Sequence, residues 1–165
     1  MYALLVGHSD KVSVVRFYTC PASGTKFLLT GSVDRTIKVW KQEESNLRNF
    51  KQVASLEGHE GTVNAIAVAD GTDVVATGAA DGTVRIWRIT AQDELKCELV
   101  ETITMKPRFF PLTLALRVLE AGHGKPLVLA VAGTTTSVQI YAAESSVDKP
   151  NFQSRAVLSG HEAWI

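Results

Sequence analysis

The sequence lacks most of the features that would point to a specific chemistry. It has two cysteines, Cys20 and Cys97, far apart and in no Cys-x-x-Cys pair. That argues against a disulfide framework or a cysteine-built zinc site and suits a reducing compartment. Charge of one sign is missing too, since 17 Lys and Arg balance 17 Asp and Glu. Bulk electrostatics therefore give no help to binding a polyanion. No apolar run is long enough to span a membrane, and residues 1–20 carry charges at Asp10, Lys11 and Arg16. Neither a transmembrane helix nor a signal peptide is expected, and a cytoplasmic or nuclear location is. No helical period persists over several turns. There is no phosphate-binding loop either, because Ala69-Asp70-Gly71-Thr72 and Asp81-Gly82 read as turns between strands. With 45% hydrophobic residues over 165, the chain can nevertheless bury a substantial core.

What the sequence does have is repetition. Gly-His ahead of an apolar strand occurs at Gly7-His8, Gly58-His59 and Gly160-His161, with the histidines 51 and then 102 residues apart. The second interval is twice the first. A longer motif recurs between these anchors. It reads Thr30-Gly31-Ser32-Val33-Asp34-Arg35-Thr36-Ile37-Lys38-Val39-Trp40 in one unit. In the next it reads Thr77-Gly78-Ala79-Ala80-Asp81-Gly82-Thr83-Val84-Arg85-Ile86-Trp87. Short runs rich in Val, Ile, Phe and Thr, at Ser13–Tyr18, Lys26–Thr30 and Thr36–Lys41, return as Val63–Ala69, Asp73–Thr77 and Thr83–Ile89. Lys51–Leu56 and Glu98–Thr104 add a fourth strand to each set. Apolar residues alternate with polar ones at Ile37 and Val39, and again at Val84 and Ile86, as half-buried strands require. The polar segment Glu43–Lys51 is expected to form a loop or a single helical turn.

A third unit is eroded. Its strands fall at Leu112–Leu119, Pro126–Ala132 and Ser137–Tyr141, with Tyr141 in place of Trp and the threonines Thr134–Thr136 in place of the turn aspartate. Gly122-His123 lies between strands and outside the repeat, and Arg155–Leu158 leads into Gly160-His161. The expected organisation is the end of a preceding blade plus a first repeat in 1–50, a second repeat in 51–95, a third, degenerate one in 96–150, and the start of a fourth in 151–165. Tyr2–Val6 reads as the last strand of an earlier blade. Four strands per unit in radial array is the β-propeller architecture, which takes four to eight blades to close. The sequence is therefore expected to be a piece of a longer protein, interrupted in mid-blade. Alone, it would leave unpaired sheet edges exposed.

His8, Thr30, Asp34 and Trp40 invite comparison with a hydrolytic triad, but His59, Thr77, Asp81 and Trp87 repeat the same set, and His161 opens it once more. An enzyme has little use for one triad in successive modules, and threonine is a poor nucleophile without a dedicated activator. The expected arrangement is a buried hydrogen-bond chain: Asp accepts from His, His bonds the hydroxyl, and the hydroxyl accepts from the indole. A zinc site from His8, His59, His123 and His161 is disfavoured, because the three repeat histidines would lie in separate blades. Lys106–Phe110 (KPRFF) mixes bases and aromatics, but is expected to be an inter-blade loop with its phenylalanines in the core. Self-alignment places Lys11, Thr62 and Trp164 at one position on the rim, making them candidate protein-interaction residues, with Trp164 the most suggestive.

The Gly-His anchors with the TGSVDRTIKVW and TGAADGTVRIW motifs are similar to those of the WD-repeat family, over nearly the whole chain. Within it, the sequence resembles the second-subunit family of the Elongator complex. The resemblance rests on the lengthened Tyr18–Lys26 insertion, LEGHEGTVNAIAV, the degenerate KPLVLAVAGTTTSVQIY blade and LSGHEAWI. It implies an all-β fold of four-stranded antiparallel blades, three of them plus the start of a fourth. It also implies a non-catalytic scaffold in an assembly that modifies wobble uridines of tRNA, with the other Elongator subunits as partners and tRNA contact at most indirect. No cofactor, membrane or small-molecule substrate is implied for this chain. The competing readings are a WD-repeat adaptor in ubiquitin-ligase or signalling pathways and, more distantly, an enzyme. Fold alone does not separate the first two.

Overall fold

A computed structural model describes residues 5–43, 46–119, 125–144 and 150–160, and the side chains of all of these except 46–48. Runs dense in β-branched residues and broken by Asp, Gly and Pro become strands, since such side chains suit a pleated, packed surface and the breakers do not. Three four-stranded meanders result. The first holds β1 (Val12–Thr19), β2 (Lys26–Ser32), β3 (Ile37–Glu43) and β4 (Asn46–Leu56). The second holds β5 (Val63–Val68), β6 (Val74–Ala79), β7 (Thr83–Ala91) and β8 (Leu95–Thr104). The third holds β9 (Pro111–Val118), β10 (Leu127–Gly133), β11 (Ser137–Ala143) and β12 (Gln153–Ser159). Within each sheet, strands neighbour each other in chain order and all pairs are antiparallel.

One expectation needs correction. The described residues of the Glu43–Lys51 segment are strand and not a loop or helical turn, because β3 runs to Glu43 and β4 begins at Asn46, with Gln42 opposite Phe50 and Glu43 opposite Asn46. β3 continues to Glu43 and offers its backbone there. On an outermost strand polar side chains do not obstruct pairing, so the ladder overrides the local pattern. Residues 1–4 and 161–165, where an earlier strand and the opening of a fourth blade are expected, lie outside the described residues, as does Gly122-His123.

The sheets stack face to face. Between the first and second, Phe27, Leu29, Ile37 and Val39 meet Ile66, Val75, Trp87 and Ile89. Between the second and third, Val74, Ala76, Val84 and Ile86 meet Leu114, Leu116, Leu129, Val131 and Tyr141, with Met105 and Phe109 closing one end. The middle sheet is covered on both faces, and every residue of β6 is buried. Repetition shows what this stacking does. Val15, Ile66 and Leu114 hold equivalent places, opposite Thr30, Thr77 and Val131. Ile66 and Leu114, each facing a preceding sheet, are 1% and 7% exposed, while Val15 is 53% exposed.

Polar clamps tie each sheet to the next. Ser13 bonds the carbonyl of Val63, and Asn64, its equivalent in the second sheet, donates to the Pro111 carbonyl at 3.2 Å. Arg16 Nε donates to the Ile66 carbonyl at 3.2 Å. The buried Tyr18 hydroxyl donates to the Ile89 carbonyl at 2.7 Å. Each such bond is worth about 1 kcal/mol net and more if one partner is removed.

Two glycines serve as a test of this packing. A Cβ at Gly133 would stand 2.1 Å from the Phe110 carbonyl oxygen, whereas Gly71, at φ +75°, has nothing within 4 Å. We expect Gly133→Ala to cost about 2–3 kcal/mol through overpacking and Gly71→Ala only about 1 kcal/mol through backbone strain. Urea titrations giving equal losses would contradict the close approach at Gly133.

Candidate functional site

The His-Asp-Thr-Trp set comes together twice among the described residues, in nearly the same geometry. In the first sheet the ring of His8 reaches Asp34 Oδ2 at 2.8 Å through Nδ1 and Thr30 Oγ1 at 2.7 Å through Nε2. Trp40 Nε1 donates to the same Oγ1 at 2.9 Å. In the second sheet the corresponding distances are 2.9 Å from His59 to Asp81, 2.9 Å to Thr77, and 2.8 Å from Trp87 to Thr77. The aspartates also organise the turn they sit in. Asp34 accepts from the Thr36 hydroxyl at 2.6 Å and from the amides of Thr36 and Ser9 at 3.0 Å. Asp81 repeats this with Thr83 and Glu60. One carboxylate thus joins the loop entering the sheet to the turn between its second and third strands.

The electrostatics fix proton positions. Burial alone would raise the Asp34 carboxyl, but donors from Thr36, His8 and Ser9 outweigh it and hold Asp34 well below the usual carboxylate range. Asp81 is likewise lowered, burial being outweighed by Thr83, Glu60 and His59. For His59, burial lowers basicity more than Asp81 raises it, and the Arg85 cation adds to the lowering. A neutral His59 therefore donates from Nδ1 to Asp81 and accepts at Nε2 from the Thr77 hydroxyl, whose oxygen accepts in turn from the indole. This is a closed circuit rather than an activated nucleophile. Thr77 is fully buried and Thr30 nearly so, so a substrate has no approach to either oxygen. The network is structural.

In the third sheet the circuit is absent because its residue types are: Val131 stands at the place of Thr77. Tyr141 donates to Gln139 Oε1 at 2.7 Å, and its hydroxyl lies 3.9 Å from Met105 Sδ. The threonine run takes over the aspartate's loop-holding task. Thr134 Oγ1 accepts from the Phe110 amide and donates to the Arg108 carbonyl, both at 3.0 Å. The Lys106–Phe110 loop divides its two aromatics: Phe109 is buried, as expected, but Phe110 is 40% exposed, contrary to a reading that placed both in the core. Phe110 stays out because its backbone is bonded to Thr134 at the end of the sheet, so its ring lies over the neighbouring Gly82 turn.

Of the rim candidates, Lys11 and Thr62 are equivalent in structure. Their carbonyls accept from the Val33 and Ala80 amides at 2.9 and 2.8 Å. Lys11 is exposed and Thr62 half-buried. His161 and Trp164 lie outside the described residues. The sequence reading passed over Arg35 and Arg108, the two non-glycine residues with positive φ among those described, at 70° and 65°. For Arg35 a signal was available, since the aligned residue in the second repeat is Gly82.

Stacked four-stranded meanders carrying this circuit define the class: the sheets are blades of a WD-repeat β-propeller. The family model described as WD domain, G-beta repeat, matches residues 2–41 and 50–88. Among known proteins, the chain is similar to Elongator complex protein 2 of Schizosaccharomyces pombe, 25% identical over 98% of this chain. It is 30% identical to Elongator complex protein 2 of Saccharomyces cerevisiae over its full length. In both cases it spans 20% of the relative's length. Small ribosomal subunit protein RACK1y of Oryza sativa subsp. japonica is 48% identical, over 38% of this chain and 17% of the relative.

Acid should therefore destabilise the fold in two stages. His59 has a folded pKa below its unfolded 6.5, so the unfolded chain binds the proton first. Its contribution is complete above about pH 6.5 and declines as pH falls through that value. The lowered carboxyls of Asp34 and Asp81 contribute above about 3.8 and lose that contribution as pH falls further. A melting temperature unchanged from about pH 7.5 to 5 would refute the neutral His59. Thr77→Val, which strands both the imidazole and the indole, should cost about 2–3 kcal/mol in a denaturant titration.

Proposed function

We propose that this chain is part of a scaffold subunit of the Elongator complex and supports assembly of the machinery that modifies wobble uridines of tRNA. The observation that carries the reading is coverage. The similarity to Elongator complex protein 2 runs through the eroded third sheet as well as the two regular ones. A likeness resting on the shared repeat motif alone would stop where the motif does. The higher identity to RACK1y covers only 63 residues, as expected of a match between well-formed repeats. Under this reading the partners are the other Elongator subunits, and the catalytic cofactors belong to them. Contact with tRNA is at most indirect, in keeping with a net charge of zero. The site of action is the cytoplasm and nucleus.

The test is affinity purification of the natural protein through a tag on its own gene, followed by mass spectrometry. We expect the large scaffold and catalytic subunits of Elongator among the co-purifying proteins. Recovery with components of a ubiquitin ligase or a signalling complex, and without those subunits, would refute the assignment.

A further inference from the structure

At the far end of the sheets from the Asp34 and Asp81 turns, a cleft opens between the first sheet and the second. It encloses about 350 Å³, within the range of roughly 300–1,000 Å³ that small-molecule sites occupy. Phe27 and Val53 form its apolar side on the first sheet, and Ala91 and Leu95, at the β7–β8 hairpin, form the other. Lys41 stands at the first wall, and Asp93 and Glu94 stand at the second. Opposite charges thus flank one apolar space, yet no ion pair joins them among the described residues.

The corresponding gap between the second and third sheets is filled. Val53 and Val100 hold equivalent places, each the extra residue of a bulge beside Trp40 or Trp87. Val100 packs against the core between the second and third sheets, whereas Val53 is 39% exposed. The difference lies in the strand across from each valine. Continuing the β11–β12 register puts Phe152 opposite Ala143, and the equivalent place in the second sheet belongs to Cys97, opposite Ile89. The Phe152 ring is buried in the core between the second and third sheets, and its amide donates to Glu101 at 3.0 Å. A thiol is far smaller than a phenyl ring. The chain therefore fills one gap with an aromatic side chain of its own and leaves the counterpart unfilled.

We infer that this cleft binds a free α-amino acid with a large apolar side chain. That side chain lies against Phe27, Val53 and Leu95, much as the Phe152 ring lies in the next gap. Its carboxylate meets Lys41, and its ammonium meets Asp93 and Glu94. A zwitterion carries both charges on one carbon and so answers both walls, whereas an internal residue of a peptide carries neither charge there. Charge-assisted hydrogen bonds of this kind are stronger than neutral ones, and a partly enclosed apolar space screens them less than open water does. The inference stands apart from the scaffold reading, because it names a small ligand and no protein partner.

The test is saturation-transfer NMR on the full-length natural protein, titrated with L-phenylalanine. The other probes are 3-phenylpropionate, which lacks the ammonium, phenylethylamine, which lacks the carboxylate, and the neutral N-acetylphenylalaninamide. L-Phenylalanine should bind, and each analogue should bind about tenfold more weakly. Lys41→Met, and the double change Asp93→Asn with Glu94→Gln, should each weaken binding of the amino acid by a similar factor of about ten. Val53→Phe, which places a ring in the cleft, should abolish it. Lys41, Asp93 and Glu94 are exposed, so their variants keep the test open should Val53→Phe fail to fold. The proposal is overturned if L-phenylalanine does not bind, or if its binding is unchanged by the charge variants. It is also overturned if the neutral amide binds as tightly as the amino acid, which would mark the cleft as a seat for a peptide side chain.

Discussion

The middle sheet of this protein is apolar on both faces, and that constraint governs the rest. A lone four-stranded meander with two apolar faces has no stable place in water, so such a sheet must lie between two others. The middle sheet shows the condition satisfied, with β6 buried from end to end and Trp87 and Ile86 pointing into different cores. The exposed Val15 and Phe17 show one face of the first sheet without a neighbour. The clamps from Ser13, Asn64, Arg16 and Tyr18 are small beside this burial. They set the register of one sheet on the next, because each must find a particular carbonyl.

Apolar stacking has no directional preference of its own, and it leaves the ends of the sheets unspecified. The Asp-His-Thr-Trp circuit supplies what stacking cannot. Its carboxylate ties an incoming loop to an internal turn, and its hydroxyl anchors the histidine over the indole. The third sheet shows that the task matters more than the residue types. There Thr134 grips the 108–110 backbone directly, and Tyr141 finds Gln139 and Met105. The loops held in this way form one end of the sheets, so its shape depends on this network.

Much of this was legible in the sequence, and the reason is repetition. Two copies of an eleven-residue motif with matching anchors fix the identity of each strand and turn. The equivalence of His8 with His59 favoured a structural circuit over a catalytic one. The same repetition placed Lys11 and Thr62 together, and the structure gives their carbonyls the same task. Legibility failed where the repeat lapsed. The polar stretch leading into β4 carries no strand signal, and became a strand because β3 extended beside it. The Lys106–Phe110 loop has no counterpart to align with, so one phenylalanine was misplaced.

The sequence by itself determined the all-β class, the alternation of strands and turns, and the composition of the polar circuits, because these depend on periods and spacings local to a single unit. Tertiary structure alone decided which faces are covered, since burial is a relation between one sheet and its neighbour. It also brought the 105–110 loop onto the Gly82 turn, where the Met105 amide donates to the Gly82 carbonyl at 2.9 Å, a contact that no local period in the sequence specifies.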